Sequence, residues 1–388
     1  MKQVIRKRIA EANNVKNIKY DITLLVDGNS LLKTSLVDKR MNDKGEEYGG
    51  VFMFLRILGQ LLQKRDFNHC VVCYDGYGSG VLRWNYYNDY KANRDKHYEL
   101  IGGNTDYDKF INEYCKKVIT YSKSKKKEVK RTETDEENFQ RQEAILQNIL
   151  ENLFIRQYVY DDVEGDDLIS FYVKNKKENE KIVIVSSDYD ITQLINEDVC
   201  QYLPVKKKFI TDKNSAEELG ITHQNTVVKK ILCGDASDNI KGIKGVGEQT
   251  LLKLFPEIKS QKIDLEHVIS RSKELLEERK AQKKKPLKSL ENIVNSVTDG
   301  IQGKDIYDIN RKIIDLSEPL MTDEAEQSMK DEMYAPLSTD DRSIENVYNI
   351  ISENGMSEIL NEKTFGSLFG MYERIMKSEK KYAKTCMQ

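Results

Sequence analysis

Three short apolar runs recur in the first half of the chain, and each runs straight into acid. Residues 22–26 (ITLLV) end at Asp27, residues 70–74 (CVVCY) end at Asp75, and residues 181–185 (KIVIV) lead into Ser186, Ser187, Asp188 and Asp190. Short continuous apolar runs rich in β-branched residues predict strands buried on both faces. Between them apolar positions recur at i, i+3, i+4 and i+7 over 49–64 (GGVFMFLRILGQLLQK) and 139–154 (FQRQEAILQNILENLF), the period of an amphipathic helix. Strand alternating with helix predicts an α/β domain with a mostly parallel central sheet flanked by helices. Ligands bind such sheets outside the carboxyl ends of the strands, and the acids stand at those ends.

The pattern extends further. In DDVEGDDLISFYVK, Glu164, Asp166 and Asp167 open a helix, where acids commonly serve as caps and dipole partners. That role accounts for one or two acids, not for a set recurring at several separate chain positions. Residues 199–211 (VCQYLPVKKKFIT) predict a hairpin at the sheet edge with Pro204 in its turn, and 215–232 predict helix. There follows ILCGDASDNIKGIKGVGEQT at 231–250, where Asp235 and Asp238 precede Gly242, Gly245 and Gly247, with Lys241 and Lys244 among them. Residues 257–300 become helical and Lys/Glu-rich, with a break at Pro286, and read as an insertion; 305–388 carry further helical periods. The expected organisation is an N-terminal extension at 1–20, an α/β domain at 21–210, and a helical C-terminal domain at 211–388.

Composition narrows the class. The chain has 388 residues, 32% charged and 39% hydrophobic, as in a highly charged soluble protein. No run approaches the ~18 to 20 apolar residues that span a bilayer. The start, MKQVIRKRIAEANN, lacks the apolar core and cleavage site of a signal peptide, so a cytoplasmic location without membrane contact is expected. The six cysteines are scattered; Cys70 and Cys73 form a CxxC with no second pair, and read as strand rather than metal site. Net charge is −2, but residues 91–131 are basic, ending in SKSKKKEVKR before the acidic TETDEE. Such runs are commonly solvated faces; a functional reading needs an anionic partner.

The acids carry the chemistry. Asp27, Asp75, Glu164, Asp166, Asp167, Asp188, Asp190, Asp235 and Asp238 all fall at strand ends or helix starts, and the expected sheet brings them to one crevice. So many carboxylates stay ionised together only if cations neutralise them. Hard divalent ions with oxygen ligands do so, and Mg²⁺ fits best. With four histidines in the chain, a zinc site is disfavoured. Two ions about 4 Å apart activate a water and stabilise the leaving oxygen of a phosphodiester, the chemistry of a hydrolytic nuclease.

VDGNS, CYDGYGSG…YKANRD, VEGDD, SSDYD and GDASDNIKGIKGVG occur in the order and spacing of the 5′-nuclease family, which the chain resembles over about residues 20–255. That family includes flap endonucleases, the 5′-nuclease domain of bacterial DNA polymerase I, and bacteriophage 5′–3′ exonucleases. SGVLRWNYYNDYKANR and VSSDYDITQLI look especially like the RNase H of T-even bacteriophages. The resemblance implies a PIN-like fold, a helical arch over about 84–135, and a helix-hairpin-helix at about 235–256. It implies two Mg²⁺ ions, with Mn²⁺ able to substitute. Asp27, Asp75, Glu164 and Asp166 would hold one ion; Asp167, Asp188, Asp190, Asp235 and Asp238 would hold the other. Lys91 and Arg94, a helical turn apart at the arch base, would contact the scissile phosphate. Arg83 would bind phosphate, and Tyr90 and Trp84 would stack an unpaired base or pack as ordinary helix contacts. Gly242, Lys244, Gly245, Gly247 and Thr250 would grip a duplex strand, with a K⁺ ion in the hairpin. The implied substrates are 5′ flaps, nicked duplexes and RNA–DNA hybrids, cut by a monomer during bacteriophage replication, with a phage single-stranded DNA-binding protein as partner.

Other classes compete. A phosphotransferase using Asp27 as nucleophile needs an acid two residues on, where the chain has Asn29. A catalytically silent DNA-binding replication factor would have shed some of the acids. A PIN-like ribonuclease would lack the glycine-rich hairpin.

Overall fold

In the computed structural model, residues 20–92, 133–299 and 305–386 are described, together with the backbone of 301–302. Arg94, most of the expected arch and nearly all of the N-terminal extension lie outside the described residues.

Six strands form the central sheet: β1 (Asp21–Asp27), β2 (His69–Cys73), β3 (Arg156–Tyr158), β4 (Glu180–Val185), β5 (Val199–Leu203) and β6 (Lys208–Ile210). Their order is β3-β2-β1-β4-β5-β6, and only β6 is antiparallel to its neighbour. The β5–β6 pair is the edge hairpin expected around Pro204. The three apolar runs are thus the three central strands. Along β1, Leu24 and Val26 pack into one core and Leu25 into another, which is why the run is continuous rather than alternating. Cys70 and Cys73 are buried thiols in β2, as the strand reading requires.

Helices cover both faces. α1 (Gly28–Ser35), α2 (Gly49–Lys64) and α4 (Asp135–Asn152) carry the apolar stripes of the first face, while α3 (Val81–Trp84) is a single turn. α5 (Gly165–Lys174) lies against the other face. α4 opens on a capping box, in which Thr134 and Glu137 satisfy each other's backbone N–H, so it starts four residues before its apolar period does.

The lobe beyond β6 has its own core. It comprises α6 (Ser215–Leu219), α7 (Thr226–Cys233), the ribbon β7 (Gly234–Asp235) and β8 (Ile240–Lys241), α8 (Glu248–Leu254), α9 (Leu265–Ala281), α10 (Lys288–Asn295), the pair β9 (Val297–Thr298) and β10 (Ile301–Gln302), and α11 (Asp305–Ile314). Trp84 and Tyr90 pack into this core, so the base of the expected arch is part of the lobe.

The single helical domain expected over 211–388 is divided. α12 (Asp323–Glu332) returns to the α5 face of the sheet. α13 (Ile344–Glu353), α14 (Ser357–Leu360), α15 (Glu362–Phe369) and α16 (Glu373–Cys386) pack onto the α2 face. Tyr372 donates to the Leu55 carbonyl at 2.5 Å, and the buried Glu379 meets His69 Nδ1 at 2.8 Å. These are contacts between residues some 300 positions apart, which no local periodicity reports.

Candidate active site

Strand order reverses at β1, whose neighbour β2 is reached through α1 and α2 on one face while its neighbour β4 is reached through α5 on the other. A crevice opens there, outside the carboxyl ends, with a volume of about 360 Å³. Asp27 ends β1 and Asp75 follows β2. Glu164 and Asp166 stand at the start of α5. Asp188 and Asp190 follow β4, and Asp238 reaches in from the lobe. All seven line the crevice.

Local geometry holds each in place. Asp27 caps α1, accepting from Ser30 N at 2.9 Å and from Ser186 Oγ at 2.7 Å. Asp75 accepts from Gly165 N at 2.8 Å, while its own N–H donates to Asn29 Oδ1 at 2.8 Å. The loop after β4 is pinned by Gln201, whose Nε2 donates to the Ser186 and Asp188 carbonyls. Asp188 Oδ1 accepts from Asp190 N at 2.8 Å.

The acids fall into two electrostatic groups. Glu164, Asp167, Asp190 and Asp235 each have a basic partner. Among the described residues, Asp27, Asp75, Asp166 and Asp188 have none at ion-pair distance, and they face one space. Burial pushes the Asp27 carboxyl up to about 6 despite its two donors. Burial, then the charges of Asp27, Asp188, Asp75 and Glu164, raise Asp166 well above the carboxylate range. For Glu164 burial acts in the same sense, but Arg83 and Lys91 outweigh it and hold the group at about 2. An all-carboxylate set that cannot ionise without cost is the donor set a hard divalent cation takes. Asp190, Asp235 and Asp238 also each offer an oxygen within 4.8 Å of one another.

Asp167 departs from its expected role. It accepts from Arg83 at 2.5 and 3.1 Å and from Leu320 N at 2.9 Å, fully buried beneath the crevice. As the next residue after Asp166 on a helix, it is rotated roughly 100° away, so one carboxylate faces the crevice and the other the packing. Arg83 departs with it. At 4% exposure it bridges Asp167 and Glu164 and donates to the Ile313 carbonyl at 3.0 Å, which leaves no fork for a phosphate. Tyr90 is 3% exposed and its hydroxyl donates to Glu164 at 3.1 Å, so its ring has no open face for a base. Trp84 is the ordinary contact of the two alternatives, with Nε1 donating to the Tyr90 carbonyl at 2.9 Å.

Lys91 keeps its place in the crevice but not on a helix. It has φ +56° in the turn after α3; its N–H donates to the Asp238 carbonyl at 2.8 Å and its Nζ reaches Glu164 at 2.7 Å. Asn239 Nδ2 donates to the Asp89 carbonyl at 2.8 Å, so the turn carrying Asp238 and the turn carrying Lys91 are tied together.

Lys230, which the sequence reading passed over, sits between Asp190 and Asp235 and contacts both, at 2.5 Å from Asp235. Asp235 is held at about 2 by Lys230 and by Ser237, against the opposing effect of burial. The available signal was a lysine in the last turn of a helix whose next acid lies five residues on. Ser186 is another omission, a buried hydroxyl within the SSDYD run that joins Asp27 to the Asp188 loop.

The glycine-rich stretch is continuous with the acids. The ribbon β7–β8 pairs Gly234 with Lys241 and Asp235 with Ile240, so Asp238 occupies its turn and the hairpin follows directly. A Cβ on Gly242 would lie 2.2 Å from the Cys233 carbonyl carbon, so this glycine permits a chain crossing rather than a phosphate approach. Gly245, with φ +78°, and Gly247 are exposed with open space beyond them. Lys244 is exposed and pairs with Asp299 at 2.7 Å, and Thr250 is half-buried in α8.

Known proteins resemble this chain in sequence and fold. DNA polymerase I of Bacillus subtilis is 28% identical over 270 residues, 67% of this chain and 26% of the polymerase, so the chain spans about a quarter of that relative's length. The bacteriophage T5 5′-exonuclease with bound zinc is 14% identical and covers 93% of this chain and 99% of its own, with a TM-score of 0.53. The T5 flap endonuclease in a product-like complex with DNA and metal ions is 15% identical over 92% and 99% of the two chains, again with a TM-score of 0.53. These likenesses show a common fold, the PIN-like one with a mostly parallel sheet. The family model for the 5′–3′ exonuclease N-terminal, resolvase-like domain matches residues 22–220, which carry the six-stranded sheet and the crevice acids from Asp27 to Asp190. The chain that folds around this crevice belongs to the 5′–3′ exonuclease family of 5′-nucleases.

Proposed function

We propose that the protein is a divalent-metal-dependent 5′-nuclease that hydrolyses phosphodiesters near the 5′ ends of flapped, nicked or RNA–DNA substrates. The observation that carries this reading is the convergence of Asp27, Asp75, Asp166 and Asp188 on one crevice with no basic group at ion-pair distance among the described residues. These four would hold metal, with Asp190 and Asp238 beside them and the buried Glu164 kept ionised by Arg83 and Lys91. Two Mg²⁺ ions, or Mn²⁺ in their place, would supply an ionised water and neutralise the leaving oxygen. The chain's own contribution is placement. Gly165 and Ser186 fix the carboxylates, and Lys91 presents an ammonium where a phosphate would enter.

The family description supports attack in the 5′–3′ sense. Lys244 and the exposed glycines of the hairpin would hold the duplex strand by its phosphates without reading bases. Because the hairpin follows the ribbon that carries Asp235 and Asp238, grip and cut would be a fixed distance apart. A role in removing RNA primers during bacteriophage replication, as a monomer in the host cytoplasm and alongside a single-stranded DNA-binding protein, completes the proposal.

The test is a substrate panel of labelled 5′ flap, nicked duplex, RNA–DNA hybrid and blunt duplex, each with Mg²⁺ and with chelator. Cleavage of the first three near the 5′ end in Mg²⁺, and of none in chelator, is the expected result. Cleavage that survives chelation, or a protein that cuts no 5′-ended substrate, overturns the reading.

A further inference from the structure

The Lys/Glu-rich stretch over 257–300 has no part in the crevice, yet its last third is bonded to the hairpin. Asn292 on α10 donates from Nδ2 to the Lys244 carbonyl at 2.7 Å, and Thr298 on β9 donates from Oγ1 to the Gly242 carbonyl at 2.7 Å. The Lys244 N–H returns to the Val297 carbonyl at 2.9 Å. Both donors are buried, and α10 is itself held by Tyr307, which donates to the Ile293 carbonyl at 2.7 Å. Among the described residues, Gly245 and Gly247 donate to no backbone carbonyl, and both are exposed.

A cation seated in this hairpin would need its carbonyl oxygens. At Gly242 and Lys244 each of those oxygens already accepts from one buried donor, so a cation would have to share it rather than find it free. The residues present do not favour the K⁺ ion that the resemblance implied.

We propose that α10 and β9 are a built-in brace for the hairpin, with Asn292 and Thr298 as positioning residues that do the work of a bound monovalent cation. By holding the inner carbonyls they fix the outward set of the Gly245 and Gly247 N–H groups. A polar group satisfied from behind keeps its loop in one conformation, and a preorganised loop binds without an ordering cost. The insertion thus sets duplex affinity from the far side of the hairpin. This inference rests on the reading of the hairpin as a duplex-binding element.

The test measures duplex affinity and steady-state kinetics on a nicked substrate, in KCl, NaCl and tetramethylammonium chloride at equal ionic strength. Wild-type affinity is expected to be the same in all three salts. Asn292→Leu and Thr298→Val together remove both donors at nearly constant volume and are expected to weaken duplex binding about tenfold, as KM rather than kcat. That loss is expected to shrink in KCl, where the freed carbonyls can take the ion. Thr298→Ser, which keeps the hydroxyl, is expected to bind as wild type, and Thr298→Val alone serves if the double variant does not fold. Wild-type affinity that requires K⁺, or variants that bind as wild type in NaCl, overturns the brace. A wild-type protein with no duplex affinity in any salt overturns the duplex-binding reading instead.

Discussion

Replacing Asp166 by asparagine is expected to cut the single-turnover rate on a 5′ flap in Mg²⁺ by roughly 10³-fold, the several kcal/mol that metal-borne charge stabilisation supplies. Asp166 is the acid whose charge interacts with Asp27, Asp75, Asp188 and Glu164 together, so its loss affects metal held on either side. Flap affinity in Ca²⁺ is expected to stay within about threefold, because phosphate contacts dominate it and no basic residue changes. The substitution also separates this site from a structural one. Removing one of several repelling charges raises the melting temperature of the chelated protein and shrinks the stabilisation that Mg²⁺ provides. A near-wild-type rate, or a lower melting temperature in chelator, would remove Asp166 from the centre of the site.

Burial of these carboxyls gives the metal-free protein a pH signature with a definite sign. Asp27 and Asp190 titrate at about 6 in the folded protein, in both cases chiefly through burial. A raised carboxyl value means that the folded state holds protons which the unfolded chain releases near pH 4. The corresponding stability is complete below that point and is lost as pH rises through about 6. Glu164 and Asp235, held near 2, act in the opposite sense, but their window closes below about pH 4.5. Chelated protein is therefore expected to melt lower at pH 7 than at pH 5, and Mg²⁺ at pH 7 to abolish the difference.

What the chain disclosed in advance follows a physical rule. The three central strands and their terminal acids were legible because a parallel strand buried on both faces has no choice but to read as a continuous apolar run. The edge hairpin around Pro204 was legible because turns demand particular residues. Burial of charged and amphipathic residues was not. Arg83, Tyr90 and Asp167 look, in sequence, like groups of a catalytic motif, but contacts from the distant Ile313 and Leu320 and with Glu164 make them a buried network. The resemblance placed Lys91 a helical turn from Arg94 at the base of an arch, but its backbone bond to Asp238, nearly 150 positions away, draws it into a left-handed turn. The return of α12–α16 to the sheet belongs to the same class, being fixed by long-range packing rather than by local period.

Lys91→Met is expected to lower the single-turnover rate by roughly 10² to 10³-fold, the cost of one preorganised electrostatic group in a water-poor site, with flap affinity falling by less than about fivefold. Methionine is chosen over alanine because the side chain also lies 4.9 Å above the Tyr90 ring and fills space that a truncation would empty. The left-handed φ at this position penalises lysine and methionine alike, so backbone strain cancels in the comparison. Nor does the change leave Glu164 buried without a counter-charge, since Arg83 stays at 3.2 Å and the Tyr90 hydroxyl at 3.1 Å. What the substitution removes is an ammonium at the mouth of the crevice. With Glu164 as its hydrogen-bond partner among the described residues, that ammonium has hydrogen-bonding capacity left for a phosphate oxygen. If it acts on charge developing at the reacting phosphate, the rate falls and affinity hardly moves. If it is only an anchor for the strand, both fall by the same factor. Equal losses in rate and affinity would therefore reassign Lys91 to substrate binding, and the carboxylates would have to account for catalysis without it.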